Sequence, residues 1–88
     1  MTKIEVEIFA DATNAAVIRV PGRQFPGVVV QGDSLNVLLG CAREIARSSQ
    51  SSGNSELIDA ADELVQLLRG YVRVYEDALR KHDQPLPY

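Results

Sequence analysis

A chain of 88 residues with one cysteine and one histidine suits a single domain, and it can neither form an intrachain disulfide nor build a zinc site from His and Cys alone. Hydrophobic residues make up 45% of it, a globular composition rather than a disordered one. A net charge of −3 and a pI near 5.0 argue against nucleic acid as main partner, which wants a concentrated basic face, and fit a basic protein partner.

From Lys3 to Ala10 the residues alternate. Ile4, Val6 and Ile8 point one way, Lys3, Glu5 and Glu7 the other, the pattern of a half-buried strand. The alternation leaves no long apolar run, so this segment reads as neither signal peptide nor membrane span; the expected location is the cytoplasm. Asp11–Asn14 is rich in turn formers, and Ala15–Val20 predicts a second strand, antiparallel to the first. Pro21-Gly22 and Pro26-Gly27 mark corners. Val28–Gln31 predicts a third, short strand, whose three valines suit burial on both faces or a central position. Residues 1–32 are thus the sheet, with a two-stranded sheet and a looped Pro-Gly segment as the alternative.

Asp33 or Ser34 can cap a helix over 33–47, where Leu35, Leu38, Leu39, Ala42, Ile45 and Ala46 recur at helical spacing. The polar segment 48–55 reads as a flexible loop without packing residues. A long second helix spans 55–82, acidic at its start (Glu56, Asp59, Asp62, Glu63) and basic at its end (Arg80, Lys81, His82), which complements the helix dipole; Pro85 and Pro87 stop it within the tail 83–88. Leu57, Ala61, Leu64, Leu68, Tyr71, Tyr75 and Ala78 form a heptad stripe, widened by Ile58, Val65, Val72 and Leu79. At about 14 residues against about 28, roughly 21 Å against 42 Å, the first helix is too short to cover the second. Leu68, Tyr71, Val72, Tyr75 and Leu79 are therefore the expected oligomer interface.

No catalytic constellation is legible. Cys41 lies on the apolar side of the first helix and reads as a small core residue. His82 reads as a C-terminal helix charge. Asp59, Asp62 and Glu63 could serve as acid–base or metal groups only by converging in a cleft, and their place in the first helical turns accounts for them electrostatically. No nucleotide-binding loop pattern is present. Four arginines, Arg19, Arg23, Arg43 and Arg47, would make a small anion patch only if they shared a face. Neither cofactor nor metal is expected. Arg23, Gln24 and Phe25, held between two Pro-Gly corners, are the expected partner-binding residues, an arginine and an aromatic being common interface anchors.

Pro26-Gly27, Val28 to Val30, Gln31-Gly32-Asp33-Ser34-Leu35 and Ala42-Arg43-Glu44 together resemble the core block of HicB-type antitoxins and their single-domain relatives, and also small bacterial proteins of unknown function. The resemblance covers roughly Lys3 to Ala46 and implies a small bacterial domain that masks a partner. The long second helix departs from that family, which has a further strand there and often a DNA-binding segment. The expected architecture is α+β: a three-stranded, mainly antiparallel sheet followed by a two-helix antiparallel hairpin, with the helices burying one sheet face. The expected function is a non-enzymatic, antitoxin- or immunity-like protein-binding module, a homodimer; the alternatives are a self-associating structural domain and a small enzyme using the carboxylates of the second helix.

Overall fold

The computed structural model describes residues 1–12 and 15–88; the expected turn at Asp11–Asn14 falls partly on Thr13 and Asn14, outside the described residues. The chain is α+β, with β1 (Glu7–Ala10), β2 (Ala15–Arg19), β3 (Gly27–Val30), α1 (Gly32–Ser49) and α2 (Ser55–Lys81). It divides into two compact units, Met1–Gln31 and Gly32–Tyr88.

The first unit is a three-stranded sheet in the order β1-β2-β3, antiparallel throughout. β1 is shorter than the alternation from Lys3 predicts. Its partner β2 ends opposite Glu7, at Arg19, because the chain then turns at Pro21-Gly22. There the Arg23 N–H donates to the Val20 carbonyl at 3.1 Å, and Gly22 takes a φ of +85°, the pattern of a type II turn with proline first and glycine second.

The alternation also breaks inside β1. Ile8 pairs with Ile18 and Ala10 with Val17, so Phe9 is an extra residue in a β-bulge. The bulge brings the Phe9 ring under Arg19, whose guanidinium lies 5.6 Å from the ring centre. Arg19 also holds both carboxylate oxygens of its cross-strand partner Glu7, at 2.7 and 2.6 Å. These exposed contacts are worth up to about 1 kcal/mol each; they fix register more than they stabilise.

The valines of β3 take neither expected place. β2 is central, β3 is an edge, and every residue of β3 is exposed. The register puts Ile8, Ile18, Ala16 and Val29 on one face, and Val17, Val28, Ala15 and Val30 on the other, so both faces are apolar. No residue of the three strands is buried.

The second unit is a helical hairpin. α1 begins one residue before the expected capping pair, so Asp33 acts from within the first turn, its carboxylate accepting the Ser34 N–H at 2.9 Å. It also runs on through Ser48 and Ser49, two residues expected in the loop. Ser49 is buried, and its hydroxyl donates to the Ala46 carbonyl at 2.7 Å, while Ser52 donates to the Ser49 carbonyl at 2.6 Å. Serines here satisfy helix-end carbonyls, so the segment is more ordered than its composition suggests. Asn54 caps α2 by accepting the Leu57 N–H at 3.2 Å.

The C-terminus of α2 closes in a Schellman motif. Gln84 N–H donates to Leu79 O at 2.8 Å and Asp83 N–H to Arg80 O at 3.2 Å, with Asp83 at a φ of +53°. His82 is the cap itself. The tail then returns along α2, where the Tyr88 hydroxyl donates to Glu76 at 2.8 Å.

Leu39, Ala42, Val65 and Val72 form the core of the hairpin, with Leu35, Ala46 and Leu68 packed around them. Gly32, buried at the start of α1, lies against the ring of Tyr75, whereas Ile45, Ser48 and Ser49 line a groove with Leu57. α1 is therefore antiparallel to α2 and flanks it from Leu57 to Tyr75. At 18 residues against 27 the mismatch is smaller than the sequence predicts, and the overhanging turns are the mostly polar end of α2.

Candidate functional site: two exposed apolar surfaces

Among the described residues no group of His, Cys, Asp and Glu is placed to hold a metal ion. Cys41 is exposed, not the core residue its helical position suggests. The arginines are partly spoken for: Arg19 by Glu7, Arg47 by Glu44 at 3.2 Å, and Arg80 by Glu76 at 3.8 Å and Asp77 at 3.1 Å. The features that stand out are apolar surfaces, one in each unit.

In the sheet unit, the corner after Pro21-Gly22 carries Arg23, Gln24 and Phe25 outward. All three are exposed, Phe25 at 74%. Arg23 and Phe25 line an apolar groove with Ile18, Val20, Val28 and Val29. Arg23 also borders a polar hollow with Glu5, Glu7 and Arg19. Gln24 lines neither. The groove ends on β3, whose outer edge pairs with no strand among the described residues and whose Val28 is 61% exposed. An anchor ring beside an open valine edge can take up an extended segment of another chain by strand addition, main-chain bonds supplying affinity and side-chain pockets specificity.

In the helical unit, α2 carries two heptad rows one residue apart. The inner row is Ile58, Ala61, Val65, Leu68, Val72, Tyr75 and Leu79, all buried or half-buried; the outer row is Leu57, Ala60, Leu64, Leu67, Tyr71, Val74 and Ala78, all exposed. The expected oligomer residues therefore divide. Val72 is 5% exposed and lies in the intrachain core; Leu68 packs against that core, Tyr75 against Gly32, and Leu79 is half-buried. Tyr71, 64% exposed, belongs to the outer row. α1 repeats the scheme, with Leu35, Leu39, Ala42, Ala46 and Ser49 inside and Leu38, Cys41 and Ile45 exposed one position earlier.

Both outer rows precede their inner rows by one residue, a rotation of about 100° on a helix. In an antiparallel pair such equal offsets turn toward the same side of the hairpin. The groove shared by Ile45 and Leu57 lies on that side. The positions following the inner rows are polar and meet on the opposite side, where Asn36 and Arg43 of α1 face Arg69, Arg73, Glu76 and Arg80 of α2. The hairpin as a whole is amphipathic. Leu67 and Val74 belong to no stripe that the sequence reading singles out, although a strict 3,4 spacing from Leu57 finds both.

A family model described as a family of unknown function, DUF6959, matches residues 1–88. The chain belongs to that family. No curated protein matches the chain, and neither does any solved structure.

Proposed function

We propose that this member of a family of unknown function is a non-enzymatic protein-binding module of the cytoplasm, acting in the antitoxin or immunity manner by stoichiometric masking of a protein partner. One observation carries the reading: Phe25 stands exposed beside Arg23 at the head of an apolar groove that runs onto a valine strand paired on its inner edge alone among the described residues, in a sheet with no buried residue. An apolar surface of that kind marks an interaction site in a protein that must remain soluble. The partial resemblance to HicB-type antitoxins over residues 3–46 supports the same reading. No helix among the described residues is long and apolar enough to cross a membrane. The partner is taken up along β3 as an added strand, with Phe25 as anchor and Arg23 selecting for a carboxylate or main-chain oxygen nearby.

Quantitative recovery of the tagged chain from its native host tests this. One protein should accompany the wild-type chain in about equal molar amount, and Phe25→Asp should reduce its recovery at least ~tenfold, the loss of a single anchor, with the circular dichroism spectrum unchanged. Recovery of the chain alone, or equal recovery by Phe25→Asp, refutes the reading.

A further inference from the structure

We propose that the apolar side of the helical hairpin is a dimer surface whose occupant is the same side of a second copy of this chain, with the two α2 helices antiparallel across a two-fold axis near Leu67. The partner of the sheet unit plays no part in this: the surface is made of α1 and α2 alone.

The first argument is the pattern. Soluble surface helices carry an apolar stripe of three to four positions per heptad, turned to the core. α2 carries four, but α1 covers only the two of the inner row and leaves the other two exposed. The outer row keeps its 3,4 spacing from Leu57 to Ala78 without a polar interruption, and its members are exposed throughout. A spacing of 3.5 residues is what keeps a seam aligned with another helix along its length; a surface selected only for solubility has no use for it.

The second argument is area. At 1.5 Å per residue, α1 with 18 residues is about 27 Å long and α2 with 27 about 40 Å. With axes about 9 Å apart, the apolar side offers on the order of 600 Å² per copy. Two copies face to face bury about 1,200 Å², within the range of specific interfaces. The closed two-fold arrangement consumes the whole face and leaves no sticky remainder.

The third argument is charge, and it sets the direction. The first half of α2 carries Glu56, Asp59, Asp62 and Glu63 and no base; the second half carries Arg69, Arg73, Arg80 and Lys81 against Glu76 and Asp77. Parallel copies would set acid on acid. Antiparallel copies lay each acidic half along the basic half of the other and oppose the helix dipoles favourably. Lys81, next in the outer row after Ala78, then lies within about one helical turn of Glu56 of the second copy. Leu64 of each copy faces Tyr71 of the other, and Leu67 meets its own equivalent at the axis.

The test uses the full chain with Cys41→Ser and one new cysteine on α2. Leu67→Cys should be joined in high yield to a second copy by a short bis-maleimide, whereas Leu57→Cys, far from its own equivalent in the antiparallel dimer, should not. Light scattering should show a dimer that dissociates on dilution, and Leu67→Lys should raise its dissociation constant at least ~tenfold with helicity retained. Should Leu67→Lys fail to fold, the cross-linking pair still decides. A monomer at every concentration, cover by another part of the chain or another protein, self-linking of Leu57→Cys, or a dimer in which Leu67→Cys stays unlinked each overturns the proposal. The Phe25→Asp chain should remain dimeric, so loss of partner and loss of dimer are separate outcomes.

Discussion

A methyl group at Gly32 would occupy the space of the Tyr75 ring. The glycine leaves room for the tip of the Tyr75 side chain, which reaches from α2 against the first turn of α1, a packing demand rather than a conformational one. Gly32→Ala should therefore destabilise the hairpin by about 1–3 kcal/mol, the usual cost of overpacking a fitted contact. Denaturant unfolding measures the loss, and adding Tyr75→Leu should recover part of it, since residues in contact do not act additively. An unchanged midpoint in Gly32→Ala would contradict the contact. None of this is legible in the sequence, where Gly-Asp-Ser reads as a strand end followed by a cap; the reason for the glycine sits 43 positions away in Tyr75. Tyr88 is a second case of a long-range partner. Loss of solvation around its phenol, then the hydrogen bond to Glu76 and the charge of that carboxylate, raises its pKa above the usual tyrosine value. The neutral phenol is the form that the folded tail favours, so the contact is fully present below the ordinary tyrosine pKa and is lost as pH rises through the elevated one. An NMR titration of the Tyr88 ring should show late ionisation, and Glu76→Gln should bring it down; a titration indifferent to that change would remove Glu76 as a cause.

Element existence was legible because hydrophobic spacing differs in kind between strand and helix, and α2 announces itself further by its acidic start and basic end. Element ends were less so. β1 stops where its partner runs out at Pro21, which no property of residues 3–6 foretells. α1 continues through serines that are poor helix formers, since their hydroxyls can bond the last carbonyls of the helix. The most consequential ambiguity was the width of the stripe on α2. With apolar residues at four of every seven positions, several heptad rows can be drawn through the same sequence, and the one through Leu57, Ala61, Leu64 and Leu68 mixes residues from two sides of the helix. Only the position of α1 separates them, by claiming Ala61, Val65 and Val72 for the core. A residue's membership of core or surface is thus fixed by its neighbour helix, and adjacent leucines such as Leu67 and Leu68 have opposite situations. The loop Arg23–Phe25 is legible because two local Pro-Gly pairs bracket it, although Pro21-Gly22 alone forms the expected corner and Gly27 is instead the first residue of β3, paired with Ile18.

At the scale of the whole molecule, the two units differ in what holds them. The hairpin has a continuous apolar core between its helices. The sheet has ladder hydrogen bonds and cross-strand pairs but no buried side chain, and short strands gain little independent stability without a buried apolar face. Local stability follows burial and contact density, so native-state hydrogen exchange should divide the chain at Gln31. Amides of Leu39, Val65 and Val72 should exchange at least ~tenfold more slowly than those paired within β1–β3, a gap of about 1.4 kcal/mol or more in opening free energy. Binding of a partner along β3 should close part of that gap, because a ligand that binds only the ordered sheet stabilises it by mass action. Dimerisation through the outer rows should instead slow exchange in α1 and α2 and leave the strands unchanged. A uniform exchange profile in the free chain would mean that the sheet draws its stability from the same cooperative core as the helices.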